Sequence, residues 1–235
     1  HRDLLAYLVR RLLENGANSS FVNQIVDEDV PAAEVAACPF AALAAQPQVE
    51  NGAIKTGPGL FGARGNARGF DLTDRTDLAA IEAARAPHRD SHHSAAPMLA
   101  GPAPETAGDD PRPVRDPSLS PDDPRSVVGS LREAAPAEVA HALAHARIWD
   151  ALPAERAAVL RRAADLYEAD FGALFALLAR EAGKTQADAV AELREAVDFL
   201  RYYADGGAAL TAPARGVFAC ISPWNFPLAI FTGQI

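Results

Sequence analysis

The sequence is short of the residues on which several common architectures depend. Two cysteines in 235 residues exclude a disulfide scaffold and a cysteine zinc site, and fit a reducing compartment. Lysine is nearly absent: Lys55 and Lys184 are the only two among 22 basic residues, so arginine carries almost all the positive charge. That charge is itself outweighed. The formal net charge of −9 argues against a general nucleic-acid-binding surface on this segment. Initiator Met, signal peptide and internal repeat are all missing. The chain opens on His1-Arg2-Asp3, directly into a helical pattern, and closes at Ile235 inside an apolar run. The expectation is an interior segment of a longer protein.

What is present is ordinary. Hydrophobic residues make up 49%, charged residues 23%, and the mean hydropathy is −0.05. Such composition excludes a wholly disordered or fibrous chain. Residues 216–235 carry no charge, but Pro223, Asn225 and Pro227 interrupt the run and set it against a membrane span.

Three parts follow one another. In the first, residues 1–30, Leu4, Leu5, Leu8, Leu12 and Leu13 recur at helical spacing, and Asn15-Gly16 is a stop signal. The second, residues 31–112, is rich in Ala, Pro, Gly, His and Asp; it is expected to bury little apolar surface and reads as linker. The third, residues 113–235, reads as ordered. A short hairpin is expected around Ser126-Val127-Val128. Three helices are expected after it: one from about Pro136 to Trp149, one from Pro153 to Gly183, and one after Thr185, ending at Gly206-Gly207. Thr185 and Asp188 resemble a capping box with Asp in place of Glu. Gly216 through Ser222 reads as a buried strand that breaks at Pro223.

Two constellations carry chemistry. Tyr7, Arg10, Arg11 and Glu14 are three or four residues apart and share one helix face. Two guanidiniums beside one carboxylate leave net positive charge and a fork of N–H donors suited to a small carboxylate ligand. Spacing by itself favours a plainer account, a solvated face with an Arg10–Glu14 pair worth about 0.3–0.5 kcal/mol. The second constellation is Ile221-Ser222-Pro223-Trp224-Asn225-Phe226-Pro227. A turn bracketed by prolines can hold the Asn225 amide rigidly as an N–H donor to a developing oxyanion, a role worth about 2.7–4 kcal/mol. Here too spacing alone favours the plainer reading, an Asn that satisfies the backbone of its own turn.

Longer strings add to this. Residues 7–23, Tyr-Leu-Val-Arg-Arg-Leu-Leu-Glu-Asn-Gly-Ala-Asn-Ser-Ser-Phe-Val-Asn, closely resemble the last helix of the proline dehydrogenase barrel in bifunctional proline utilization A flavoenzymes. The resemblance implies that Arg10 and Arg11 hold the proline carboxylate, that Tyr7 and Glu14 complete the pocket, and that Phe21 lies near the FAD adenine. Residues 216–235 are similar to the oxyanion-asparagine segment of aldehyde dehydrogenases, in particular the glutamate semialdehyde dehydrogenase half of that family. This implies Asn225 as oxyanion donor, Ile221, Ser222, Pro223 and Trp224 as NAD contacts, and Phe226 as a substrate contact. Ala182-Gly183-Lys184-Thr185 and residues 192–203 also resemble that half, and Glu195 matches a glutamate of its substrate pocket. Gly65-Asn66-Ala67-Arg68-Gly69-Phe70-Asp71-Leu72 looks like the family's inter-domain connection.

The implied fold class is α/β. It comprises the C-terminal helix of a (βα)8 barrel, a linker, and the N-terminal part of a Rossmann-like aldehyde dehydrogenase domain. The implied chemistry is FAD-dependent oxidation of proline to pyrroline-5-carboxylate, with electrons passing to a membrane quinone, then NAD-dependent oxidation of glutamate semialdehyde. A cytoplasmic homo-oligomer, peripheral at the inner membrane face, is implied, while the segment alone is expected to be inactive. The alternative from another class is a non-catalytic scaffold that retains these helices.

Several motifs are set aside. Gly57-Pro58-Gly59-Leu60-Phe61-Gly62 fits G-x-G-x-x-G, but no strand precedes it and no helix pattern starts there. Gly183-Lys184-Thr185 mimics the end of a phosphate loop, yet position 178 is Leu. His141 and His145 have metal-ligand spacing without a third ligand, and no metal is expected. Cys220 reads as a small buried hydrophobe rather than a nucleophile, which the family places beyond position 235. Cys38 has no identifiable partner.

Overall fold

The computed structural model describes residues 2–16, 21–48, 50, 52–57, 59–102 and 110–235, with side chains omitted at 2–4, 6, 14–16, 21 and 22. The chain divides into two compact units, His1–Lys55 and Thr56–Ile235.

The first unit is helical. Its elements are α1 (Arg2–Gly16), α2 (Phe21–Val26), α3 (Ala32–Val35) and α4 (Pro39–Ala44). The leucine spacing forms α1 as expected, but its apolar stripe is open: Leu12 and Leu13 are each 72% exposed. No described residue of this unit is buried.

The second unit holds the core. Its elements are α5 (Arg75–Arg85), β1 (His93–Ala95), β2 (Arg112–Arg115), β3 (Val127–Leu131), α6 (Pro136–His145), α7 (Pro153–Ala169), α8 (Phe171–Ala182), α9 (Gln186–Ala208) and α10 (Ala229–Gln234). The expected hairpin forms as β2 antiparallel to β3, and β1 adds on the other side of β3 in parallel. Helices α5, α7, α8 and α9 enclose Ile81, Ala164, Phe175, Leu193 and Val197. Phe70 and Phe171 pack on Phe175, with ring centres 5.6 Å apart in each pair.

Four expectations shift. The helix from Pro136 stops at His145, because side chains satisfy its last carbonyls. Arg147 Nη1 donates to Ala144 O at 3.1 Å, and a His145 ring nitrogen meets His141 O at 2.9 Å. The helix expected from Pro153 to Gly183 is two, joined at Asp170, a weak interior helix former. Helix α9 runs through Gly206-Gly207 to Ala208, since glycine weakens a helix end without forcing its stop. Residues 216–222 form no strand: Val217, Phe218 and Ile221 are 66%, 71% and 85% exposed. A strand needs a neighbour to take its hydrogen bonds, and among the described residues none lies beside it.

Residues 31–112 also bury more apolar surface than their composition predicts. Ala67 and Ile81 from that stretch are buried in the core. The Ala and Pro background conceals an amphipathic turn-and-helix. Asp74 caps α5 by accepting from Thr76 N at 2.9 Å. The Gly65–Leu72 string clasps two helices. Ala67 N donates to Asp198 Oδ1 at 2.9 Å, Arg68 N to Glu168 Oε1 at 2.6 Å, and Arg201 Nη1 to Asn66 O at 2.9 Å.

Candidate functional site

In the second unit the site is built outward from α9. Thr185 caps that helix: its Oγ1 accepts from Asp188 N at 3.2 Å and donates to Asp188 Oδ2 at 2.7 Å. Gly183 closes α8 in the left-handed region, at φ 65°, and the Lys184 N–H donates back to Leu178 O at 3.2 Å. Lys184 therefore sits between two caps on a fixed backbone.

Along α9, Ala189, Val190, Leu193, Ala196 and Val197 are buried, and Glu192 lies among them at 2% exposure. A carboxylate so placed is costly unless it is paired. Its Oε2 lies 3.1 Å from Lys184 Nζ, and its Oε1 accepts from Leu228 N at 2.8 Å and from Ala229 N at 3.3 Å. Lys184 Nζ also lies 4.5 Å from the ring centre of Phe226.

The turn closes with Phe226 N donating to Pro223 O at 3.3 Å. Asn225 is exposed, and its side chain makes no hydrogen bond among the described residues. The amide is thus not consumed by its own turn. Trp224 is 83% exposed.

Just before the turn, Gln234 of α10 gathers three residues. Ser222 Oγ donates to Gln234 Oε1 at 2.9 Å, Gln234 Nε2 donates to Ile221 O at 3.2 Å, and Cys220 Sγ donates to Gln234 O at 3.3 Å. Cys220 is exposed, not buried as expected, because the strand meant to bury it does not form. Glu195 lies one turn beyond Glu192; it is exposed and makes no hydrogen bond or ion pair among the described residues.

In the first unit, Tyr7, Arg10 and Arg11 lie on α1 and are exposed, Tyr7 at 58%. Helical geometry puts them on one face, as the spacing predicts. The side chains of Glu14 and Phe21 fall outside the described residues.

Other features are accounted for locally. The rings of His141 and His145 stack 3.8 Å apart, and His141 Nε2 meets Ala100 O at 2.9 Å. No group of three or more His, Cys, Asp or Glu is placed to hold a metal among the described residues. No helix of those residues is long and apolar enough to cross a membrane. A cleft of about 920 Å³ opens between 146–150 and 210–218, lined by Trp149, Arg156 and Phe218, and includes neither Lys184 and Glu192 nor any residue of 220–227.

Glu192, Lys184 and Gln234 were not expected at the site. Two signals pointed to the first pair: a glutamate on the apolar stripe of α9, and one of only two lysines directly before the helix cap.

Comparison with known proteins matches two families. Residues 113–235 match the aldehyde dehydrogenase family, and residues 1–24 match proline dehydrogenase. The bifunctional protein PutA of Escherichia coli (strain K12) is 47% identical over 251 aligned positions, covering 100% of this chain and 18% of that protein. A 1-pyrroline-5-carboxylate dehydrogenase of Bacillus mycoides is 35% identical over 138 positions, covering 50% of this chain and 27% of the other. A crystal structure of a bifunctional proline utilization A protein superposes with a TM-score of 0.69 at 38% identity, covering 100% of this chain and 22% of that one. The chain thus spans about a fifth of the length of the curated PutA relatives it matches.

Proposed function

This chain belongs to the aldehyde dehydrogenase family, as a segment of the bifunctional PutA type, and on that premise we propose that its two ends serve two successive oxidations of one small carboxylate. Residues 1–30 supply the end of a proline dehydrogenase domain, residues 31–112 the connection, and residues 113–235 the start of a glutamate semialdehyde dehydrogenase domain. The full protein is a cytoplasmic homo-oligomer, peripheral at the inner membrane face, that passes electrons from proline to a membrane quinone.

At the first site, Arg10 and Arg11 pair with the carboxylate of proline, each fork offering two parallel N–H donors. Tyr7 and Glu14 close the same helix face, and Phe21 lies toward FAD.

At the second site, the aldehyde oxygen gains negative charge when a thiolate attacks its carbon. Asn225 donates its amide N–H to that oxygen. Phe226 packs against the substrate, with Glu195 at the pocket edge. Residues 221–224 fit a dinucleotide because they are largely exposed and their backbone stands outside any ladder. Ile221, Ser222, Pro223 and Trp224 would hold NAD, which accepts hydride when bound. Neither cysteine of this chain serves as the nucleophile; Cys220 Sγ already donates to Gln234 O.

The observation that carries this reading is the unengaged Asn225 amide at the tip of an anchored turn. In a full-length PutA-family enzyme carrying this segment, Asn225→Ala is expected to lower aldehyde turnover by about 10²–10³. Proline oxidation in the same preparation should be unchanged. A normal aldehyde rate would remove the oxyanion role.

A further inference from the structure

The turn that carries Asn225 and Phe226 has few ties of its own. It closes on one backbone hydrogen bond and its tip is exposed, and the extended segment before it has no ladder and, among the described residues, is held through Gln234 alone. Rigidity must enter from elsewhere, since an oxyanion donor acts only when held in place. One buried ion pair touches both flanks of the tip. On the near side Lys184 Nζ lies 4.5 Å from the Phe226 ring centre. On the far side Glu192 Oε1 takes the N–H groups of Leu228 and Ala229. The pair is joined at 3.1 Å, with the Lys184 side chain 14% exposed and that of Glu192 1%.

We propose that Lys184 and Glu192 are the positioning residues of this turn, fixing Asn225 and Phe226 to the frame of α9. A buried carboxylate with a single partner would be a liability. Here its two oxygens divide the work: one neutralises Lys184 and the other binds two amides of a different segment. Moving the turn off α9 would strip Glu192 of two donors and leave a charge in an apolar wall. That penalty makes displacement of the turn all-or-none. Lys184 in turn cannot follow a drifting turn, because its backbone is locked between the end of α8 and the cap of α9.

The importance of the pair for catalysis rests on the role proposed for Asn225, but the anchoring itself is read without any chemistry. Two double variants of the 235-residue chain are compared by amide hydrogen exchange. K184M/E192Q removes both charges and keeps a carbonyl oxygen near Leu228 and Ala229. K184M/E192L removes the acceptor as well. The Leu228 and Ala229 amides should exchange at least about tenfold faster in the Leu variant, while the Gln variant stays within about threefold of the unmodified chain. Protection through α7 and α9 should persist in both. Equal behaviour of the two variants at Leu228 and Ala229 would overturn the proposal. So would a loss spread evenly through α7 and α9, which would make the pair a support of the core and not of the turn.

In a full-length PutA-family enzyme carrying this segment, K184M/E192L should lower kcat for aldehyde oxidation with little change in KM, and K184M/E192Q should restore most of it. If the exchange pattern holds while Asn225→Ala leaves aldehyde turnover intact, the anchor stands and the oxyanion reading fails.

Discussion

Gly172 offers the sharpest test of the frame that supports the site. It lies in the first turn of α8, where the backbone of α5 passes directly over it. A Cβ added there would lie 2.3 Å from Ala84 O, 2.6 Å from Ala84 C and 2.8 Å from Ala84 Cβ. Ordinary carbon contact begins near about 3.5 Å, so α5 would have to retreat by roughly 1 Å. The obstacle is main chain and cannot rotate aside. Overpacking of this kind costs about 1–3 kcal/mol, with the upper end expected against backbone. Retreat of α5 also withdraws Ile81, which is fully buried, and burial of such a side chain is worth about 1.5–3 kcal/mol in full. Against these stands a helix-propensity gain of about 1 kcal/mol for Ala over Gly. With part of the Ile81 term lost, Gly172→Ala should destabilise the second unit by about 2–3 kcal/mol. Gly206 is the control. It lies in α9, and a Cβ there meets nothing within 4 Å. Gly206→Ala should therefore stabilise by about 0.5–1 kcal/mol. Urea unfolding followed by far-ultraviolet circular dichroism reads both. A Gly172→Ala chain as stable as the original, or equal losses in the two variants, would refute the close approach of α5 and α8.

Other consequences can be measured separately. Glu138 is held at a pKa of about 2, below its ordinary 4.5, chiefly by hydrogen bonds from the Arg132 guanidinium and then by the Ala135 N–H. A depressed carboxyl pKa stabilises the fold fully above pH 4.5, and that contribution is lost as pH falls from 4.5 to about 2. The urea midpoint should fall across that window, and less steeply in Glu138→Gln; parallel slopes would contradict the assignment. At the first site, Arg11 is exposed, so Arg11→Ala should leave folding within about 0.5 kcal/mol. In a full-length PutA-family enzyme it should raise the KM for proline by roughly 10–100-fold, the loss of a charged hydrogen bond. Unchanged proline saturation kinetics would remove the carboxylate role.

The legible parts of the fold were those with local causes. Pro153 at the start of α7, Gly183 at the end of α8 and Thr185 before α9 act through nearest-neighbour backbone chemistry, and each stands where spacing predicted. The break at Asp170 was not legible, because the apolar period continues across it and a single Asp is too weak a signal to end a helix; Phe171, just beyond it, packs on Phe70. Ala67 was not legible either. A lone Ala among Gly and Arg gives no periodic signal, and its burial depends on Asp198 taking its N–H from 131 residues away. The apolar run at 216–222 predicts a strand that does not form, since hydrophobicity marks a strand but cannot supply its neighbour.

The site divides along the same line. The residues that a motif names, Trp224, Asn225 and Ile221, face outward, as groups that must meet a ligand do. The residues that hold them, Glu192 and Lys184, are buried and belong to no contiguous string with the turn. A motif records what touches the ligand, because that chemistry needs particular groups in one short stretch. An anchor needs only one acceptor in the right place, and any helix passing beneath the turn can supply it. Here α9 does so with a glutamate thirty-six residues before Leu228. Sequence spacing could not have joined those two positions. Charge in an apolar stripe could, since a carboxylate surrounded by Ala189, Val190, Leu193 and Ala196 is tolerable only where other elements bring donors to it.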